Sequence, residues 1–138
     1  MEEKKFRSHC SISSSLDLFG DKWSLLIVRD LLYHKQRTFK DFSQSTEKIS
    51  SARLSDRLTK LEHVGILTKK NHPTNKKVFL YELTQKGRDL TPIIAEFILW
   101  GYRYLKDHIS ESSKAIAEEL IQNKTVVIEK FQKGVILK

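Results

Sequence analysis

The hydrophobic period of the chain changes at Ile66, and this change limits the fold more than any other feature. Before it, Leu54, Leu58 and Leu61 recur at steps of four and three, the spacing of a helix that buries one face. After it, the stretches ILTKK and KVFLYELT are rich in β-branched and aromatic residues and flank NHPTN, a turn built from Asn, Pro and Thr. The sequence therefore predicts a helix followed at once by two antiparallel strands joined by a projecting loop.

Three further helices are predicted before this point. The segment 22–33, KWSLLIVRDLLY, is apolar on nearly all sides, which is typical of a helix at the centre of a domain. The other two are predicted over 12–19 and 39–45. Residues typical of helix ends separate these segments: Asp21, Thr38 and either Ser50 or Ser51 as N-terminal caps, and Gly20 and Gly65 as C-terminal stops.

Helical periodicity returns after Thr84. A broad apolar stripe runs over 90–105, and Pro92 either kinks this helix or marks its true start. A last helix is predicted over 111–131. This order of elements is that of a winged helix-turn-helix, a fold that is mainly α with a small β-hairpin (α+β). We therefore expect a single domain over 1–138, in which 11–88 form the winged helix-turn-helix core and 89–138 form a C-terminal helical part.

The composition narrows the class of protein. The 138 residues suffice for one compact domain with a modest core. No apolar run approaches the roughly 20 residues of a membrane-spanning helix, and the N-terminal MEEKKFRSHC lacks the apolar segment of a secretory signal, so we expect a cytoplasmic protein. The single cysteine and the spacing of the five histidines predict no disulfide within the chain, no structural metal and no other cofactor. Because no phosphate loop, useful carboxylate pair or known nucleophile motif occurs, we do not expect an enzyme.

Charge is distributed unevenly along the chain. The formal net charge is +8, and residues 1–88 hold 18 Lys and Arg against 10 Asp and Glu. Residues 89–138 hold seven of each, so the whole excess lies in the predicted winged helix-turn-helix core. Clustered cations attract and steer anions, which indicates a polyanionic partner for that part.

The helix that precedes the strands carries hydroxyl and cationic side chains on its outward face. In a winged helix-turn-helix this is the recognition helix, whose first turns approach base edges in the major groove. We therefore expect Ser51, Arg53 and Ser55 to contact bases. Lys60 meets a phosphate or only water, and Arg57, at the edge of the apolar face, either contacts DNA or pairs with a neighbouring acid. A solvated polar face without a partner is the alternative.

The loop between the strands favours DNA. Residues 69–77, KKNHPTNKK, hold four lysines and no acid. Like charges repel in such a loop, so binding to phosphates or to the minor groove is its natural use. The predicted contacts to double-stranded DNA are Thr38, Ser50, Ser51, Arg53, Ser55, Arg57, Lys60, Asn75, Lys76 and Lys77. A winged-helix module that binds only protein is the alternative, and its binding would depend little on salt.

Several motifs together resemble one family. The stretches CSISSSLDLFGDKWSLLIVRDLL, RTFKDF, ISSARLSDRLTKLEHVGIL, YELTQKG and LTPIIAEFILWG, within residues 10–101, are similar in order and spacing to the HxlR family of bacterial winged-helix regulators. The resemblance implies a homodimeric transcriptional regulator related to the MarR type, often a repressor. Cys10 occupies the position of the family's N-terminal cysteine, and Ser11 stands where the family commonly has proline.

A dimer also follows from the apolar stripe over 90–105, which is too broad for the core of one chain to cover. The residues expected to meet a second copy are Ile94, Phe97, Ile98, Trp100, Tyr104 and Leu105. A two-fold dimer presents its recognition helices about 34 Å apart, which matches an imperfect inverted repeat in DNA. In the alternative, residues 111–131 cover the stripe within one chain. No residue identifies a small-molecule effector.

Cys10 is a candidate regulatory residue. Arg7 and His9 precede it and a predicted helix N-terminus follows it, and both features favour the reactive thiolate. Family members with such a cysteine include sensors of oxidants or electrophiles, so the resemblance makes regulation an expectation here. Without a second cysteine, the available reactions are a disulfide to the partner subunit, a mixed disulfide with a small thiol, or alkylation. The alternative is a cysteine that acts as a small apolar residue.

Overall fold

The computed structural model describes residues 5–134, which form a helical bundle around a small antiparallel sheet. Its elements in chain order are α1 (Ser11–Phe19), α2 (Ser24–Tyr33), β1 (Arg37–Thr38), α3 (Phe39–Ser43), α4 (Ser51–His63), β2 (Leu67–Asn71), β3 (Phe79–Leu83), α5 (Gln85–Arg88), α6 (Thr91–Tyr104) and α7 (Glu111–Gln132). The predicted fold class, a winged helix-turn-helix that is mainly α, is confirmed.

Helix α2 lies at the centre, as its composition predicts. Its residues Ile27, Val28, Leu31 and Leu32 are all buried in the hydrophobic core. The helix begins two residues later than predicted. The carboxylate of Asp21 accepts hydrogen bonds from the backbone N–H groups of Trp23 and Ser24, both at 2.9 Å, and so supplies the expected cap from just outside the helix.

The sheet has the strand order β1-β3-β2, with both pairings antiparallel. Strands β2 and β3 form the predicted hairpin, in which Leu67 lies opposite Leu83. Strand β1 was not predicted, because two residues are too short to show a period. It pairs Arg37 with Tyr81, whose ring meets that of Phe42 edge-on at a centroid distance of 6.0 Å.

Two glycines end helices for different reasons. Gly65 follows α4 with φ +81°, a left-handed conformation that favours glycine. Gly20 follows α1 with an ordinary φ of −79°. A Cβ at Gly20 would lie 2.5 Å from the carbonyl oxygen of Leu16, so a close approach of the backbone requires glycine there.

The C-terminal helices decide between the two alternatives for Pro92 and depart from the prediction in two places. Helix α6 begins at Thr91, so Pro92 marks its start and does not kink it. The short helix α5 was not predicted. Helix α7 has the expected extent, but Asn123 has non-helical angles (φ −138°, ψ 46°), which kink the helix.

After the kink, α7 returns to the winged helix-turn-helix core. Val127 and Phe131 are buried, and Phe131 meets Tyr33 of α2 edge-on at 6.0 Å. The carbonyl oxygen of Gln132 accepts hydrogen bonds from the side chains of Gln85 and Arg88, both at 3.1 Å. The end of α7 is therefore hydrogen-bonded to α5, the short helix that directly follows the hairpin.

The described range 5–134 shows neither a membrane-spanning helix nor a cluster of metal-binding side chains. None of its helices is both long enough and apolar enough to cross a membrane. Its His, Cys, Asp and Glu side chains also do not gather in groups of three or more that would hold a metal ion.

Candidate nucleic-acid interface

Helix α4 has one face fixed in the core. Leu54, Leu58 and Leu61 are buried, as their spacing predicts. The helix starts at Ser51, and the hydroxyl of Ser50 accepts a hydrogen bond from the backbone N–H of Arg53 at 3.3 Å. Of the two predicted caps, the structure therefore selects Ser50. Its hydroxyl can still donate its own hydrogen to an external acceptor.

The opposite face of α4 is exposed and polar. Ser51, Arg53, Ser55 and Lys60 are exposed, as expected for residues that approach DNA. Within the described part of the chain, the guanidinium of Arg53 has no hydrogen-bond or ion-pair partner. Lys60 lies 3.4 Å from the carboxylate of Asp56, four residues before it. This face therefore offers one unpaired arginine near the start of the helix and one lysine that already has a partner.

For Arg57 the structure shows the ion pair and not a free side chain. Its Nε lies 3.0 Å from Oδ1 of Asp21, and its Nη1 lies 2.5 Å from Oδ2 of Asp56. Partial burial acts to raise the pKa of Asp21, but hydrogen bonds from Ser24 and Trp23 and the charge of Arg57 outweigh it, so the pKa lies below its ordinary value. Arg57 would have to leave Asp21 in order to contact DNA.

Thr38 is half-buried and caps α3. Its hydroxyl accepts from the backbone N–H of Asp41 at 3.1 Å, and the Asp41 carboxylate accepts from the backbone N–H of Thr38 at 2.9 Å. This reciprocal pair is a capping box. The bond from the backbone of Thr38 holds the pKa of Asp41 below its usual range. The predicted capping role of Thr38 is confirmed, and its DNA contact stays a prediction.

The four lysines of the hairpin divide into two pairs. Lys70 lies 3.4 Å from Glu82 on the neighbouring strand, and Lys69 lies over the ring of Phe79 at 4.6 Å. Lys76 and Lys77 at the loop tip are exposed and, among the described residues, have no acidic partner. The sequence count of four lysines without an acid missed Glu82, because a cross-strand neighbour is visible only once the register is known.

Hydrogen bonds within the loop fix the tip of the hairpin. The side-chain oxygen of Asn75 accepts a hydrogen bond from the backbone N–H of Lys77 at 3.1 Å. The backbone oxygen of Asn75 accepts a hydrogen bond from the backbone N–H of Val78 at 3.0 Å. The ring of His72 accepts from the backbone N–H of Thr74 at 3.2 Å. Asn75 therefore shapes the turn through its oxygen, and its side-chain NH₂ group is left to donate.

The residues predicted for a dimer separate into two sets. Phe97, Trp100 and Tyr104 are 66%, 60% and 59% exposed, and Leu105 is also exposed. The rings of Trp100 and Tyr104 lie 5.0 Å apart, centroid to centroid. Ile94 and Ile98 instead pack against the core of their own chain. Helix α7 thus covers part of the stripe and leaves the rest exposed.

A large apolar groove adjoins these exposed residues. It has a volume of about 1010 Å³, and α1, α2, α6 and α7 form its walls. The residues that line it include Leu16, Leu25, Ile93, Phe97 and Ile116. We call it the interhelical groove.

Cys10 is exposed and lies at the start of α1. The backbone N–H groups of Ser13 and Ile12 lower the pKa of its thiol below the ordinary value. The contribution expected from Arg7 is not seen, because its guanidinium pairs with Asp17 at 2.5 Å. The helix N-terminus therefore accounts for the shift.

Comparison with known proteins places this architecture in a family. The HxlR-like helix-turn-helix family matches residues 18–109. The HTH-type transcriptional regulator YdeP of Bacillus subtilis is 31% identical over 106 residues, which span 77% of this chain and 81% of YdeP. The HTH-type transcriptional regulator Rv3095 of Mycobacterium tuberculosis is 33% identical over 97 residues, 69% of this chain and 59% of Rv3095.

Solved structures agree with the sequence relatives. The transcription factor PA1607 superposes with a TM-score of 0.65 at 30% identity, covering 76% of this chain and 70% of PA1607. The oxidised redox regulator HypR gives 0.60 at 26% identity, with 68% and 96% covered, and the reduced regulator YodB of B. subtilis gives 0.59 at 27% identity, with 74% and 100% covered. The chain belongs to the HxlR-like helix-turn-helix family and is a DNA-binding transcriptional regulator, not an enzyme.

Proposed function

We propose that this regulator binds an imperfect inverted repeat as a homodimer and represses transcription from it. One observation carries the proposal. Arg53, near the start of a helix whose opposite face is buried, is exposed and, among the described residues, unpaired. An arginine so placed is suited to the O6 and N7 atoms of a guanine in the major groove.

The remaining contacts follow from position and chemistry. Ser51 and Ser55 reach base edges or phosphates beside Arg53, and Lys60 meets a phosphate. Ser50 and Thr38, which both cap helices, donate their hydroxyl hydrogens to phosphate oxygens. The loop tip brings Asn75, Lys76 and Lys77 to the backbone or the minor groove of the adjacent turn.

The dimer rests on the exposed part of α6. Phe97, Trp100, Tyr104 and Leu105 together form an apolar surface of a kind that monomers rarely expose. We propose that a second copy covers these side chains and enters the interhelical groove. Ile94 and Ile98, which pack within their own chain, support this interface from behind.

The chain thus divides into two functional parts, in which residues 11–88 bind DNA and residues 89–138 form the dimer. The protein acts in the cytoplasm, where bacterial DNA lies.

Cys10 is proposed to make DNA binding responsive to oxidants or electrophiles. Its thiol is exposed and has a lowered pKa, and HypR, one of the similar structures, is a redox regulator. Treatment with diamide or a quinone is expected to weaken DNA binding of the wild type but not of Cys10→Ser. Equal loss in both proteins would reject this role.

The decisive test of the operator is selection of bound sequences from a random DNA pool, with and without oxidant. The proposal expects an enriched inverted repeat whose half-sites lie one helical turn apart, and binding that weakens steeply between low and moderate salt. Enrichment of a single half-site without symmetry would reject the dimer. Binding without any sequence preference would reject the specific operator.

A further inference from the structure

Helix α2 and the residue that caps it connect two parts of the molecule. Asp21 and Arg29 both line the interhelical groove, on which a second copy is proposed to lie. Their charged groups also reach α4 and the segment 44–50 that joins α3 to α4. We call α3, α4 and this segment the DNA-reading unit.

The first connection runs from Asp21 to α4. Oδ1 of Asp21 accepts from the backbone N–H groups of Trp23 and Ser24 and lies 3.0 Å from Nε of Arg57, and Oδ2 accepts from the hydroxyl of Ser24 at 2.5 Å. Ser24 is itself buried. The carboxylate therefore has a fixed position, and the side chain of Arg57, 23% exposed, is held against it.

The second connection runs from Arg29 to the segment before α4. Nη1 and Nη2 of Arg29 each donate to one carboxylate oxygen of Glu47 at 3.0 Å, a bidentate arrangement that fixes orientation as well as distance. Asp30 accepts from Nε of the same guanidinium at 3.0 Å. Glu47 lies three residues before Ser50, the cap of α4, so this bridge fixes the chain where the recognition helix begins.

The two connections restrict movements of α4 that apolar packing leaves free. Apolar packing by Leu54, Leu58 and Leu61 fixes how deeply α4 is seated, but such contacts are not directional. The two hydrogen bonds from Arg29 to Glu47 have defined donor and acceptor atoms and resist sliding of the helix at its start. Near the middle of the helix, Nε of Arg57 makes no hydrogen bond, and the attraction between its charge and that of Asp21 at 3.0 Å opposes rotation of the helix away from α2. A displacement of about 1 Å would misplace Arg53 relative to a base edge, because hydrogen bonds tolerate little error.

We propose that Asp21 and Arg29 are positioning residues for operator recognition, which hold the recognition helix in register from the wall of the groove that the second subunit occupies. This inference rests on the proposed function for its consequence in DNA binding. It gives Arg57 the role of aligning the helix. It also makes operator affinity depend on the positions of Asp21 and Arg29 in the wall of the interhelical groove.

A double-mutant cycle tests the first connection. Asp21→Asn keeps an acceptor oxygen for the two backbone N–H groups but removes the charge opposite Arg57, and Arg57→Gln removes the other partner. Each single change is expected to weaken binding to the selected operator roughly tenfold, and the double change by about the same factor, because both remove one interaction. The salt dependence is expected to stay that of the wild type. Multiplied effects in the double variant would overturn the proposal.

The salt dependence separates positioning from direct contact. If Arg57 contacted a phosphate, Arg57→Gln would lower the salt slope by about one, while Asp21→Asn would free Arg57 and strengthen binding. That pattern would overturn the proposal. The same cycle with Arg29→Gln and Glu47→Gln tests the second connection. Glu96→Gln, which removes the exposed pair with Lys124 between α6 and α7, is the control and is expected to bind as the wild type does.

Amide hydrogen exchange of the free protein tests the positioning itself. Asp21→Asn and Glu47→Gln are expected to increase exchange over 51–57 severalfold, without faster exchange at Val28 and Leu31 in the core of α2. Unchanged exchange over 51–57 would overturn the inference, whatever the operator measurements show. Changed exchange with a wild type that selects no DNA sequence would instead reject the proposed function and leave the positioning supported.

Discussion

Helices α4 and α6 each bury one face and expose the other, but their exposed faces differ in chemistry. The outward face of α4 carries hydroxyl, arginine and lysine side chains, whereas that of α6 carries Phe97, Trp100 and Tyr104. A charged face contributes little to folding and much to binding a polyanion, and its contribution depends on salt. An apolar face in water is costly until it is covered, and salt changes that little. The two surfaces therefore suit two different partners, a polyanion for α4 and an apolar protein surface for α6.

The largest effect on operator binding is expected from placing a charge on the apolar face of α6. Phe97→Glu places a charge in the proposed subunit interface and is expected to give a monomer in sedimentation. A monomer binds each half-site separately, so loss of the link between the two recognition helices should weaken operator binding by about 10²- to 10⁴-fold. Ile121→Glu, at an exposed apolar residue of α7 that is not among the residues lining the groove, is the matched control. A Phe97→Glu dimer with wild-type affinity would show that α6 does not form the interface.

The next effect concerns the unpaired arginine of α4. Arg53→Ala is expected to cost about 1–3 kcal/mol in operator binding and to relax the preference at one base pair of each half-site. Binding to operators varied at every position, measured by fluorescence anisotropy, checks this. A uniform loss across all sequences would assign Arg53 to a phosphate and remove the distinction between base contacts and backbone contacts on this face.

A smaller effect is expected at the loop tip, where paired and unpaired lysines can be compared directly. Lys76→Ala should weaken all DNA sequences alike, a fewfold, and lower the salt slope by about one. Lys70→Ala, which removes a lysine already held by Glu82, should change the slope less. Equal slopes in the two variants would mean that pairing within the hairpin does not decide which lysines meet DNA.

Most of the fold could be predicted from the sequence, because it depends on local patterns. The burial of Leu54, Leu58 and Leu61, the cap at Thr38 and the turn at Gly65 all follow from spacing and residue type. Features that depend on distant partners could not be predicted. Strand β1 forms by pairing with β3, and α7 has a kink at Asn123 between Leu120 and Val127, which are both buried in the core.

The candidate site shows the same limit. Exposure of Ser51, Arg53 and Ser55 follows from helical geometry. The sequence left open whether Arg57 would pair, and the choice of Asp21 as partner, 36 positions away, required coordinates. Glu47 received no role, since nothing in the local pattern joins it to Arg29. Residues that support a site through ion pairs between elements leave no periodic signal.

The smallest predicted effect is a dependence of stability on pH, and it contrasts an ion pair that supports α4 with the exposed charges of its outer face. Hydrogen bonds from Arg29 hold the pKa of Glu47 below the ordinary 4.5. A carboxyl whose pKa is lowered by folding stabilises the native state above its unfolded pKa, and this contribution disappears as the pH falls through the folded pKa. Because Glu47 is one-third exposed, the contribution is about 1 kcal/mol or less. Urea unfolding of Glu47→Gln should therefore show a deficit of that size at pH 7 that shrinks as the pH falls below the ordinary pKa of 4.5. Lys60→Ala, at an exposed surface pair, should show a smaller deficit. A Glu47→Gln deficit that persisted unchanged at pH 3 would mean that the loss comes from packing and not from the charge pair with Arg29.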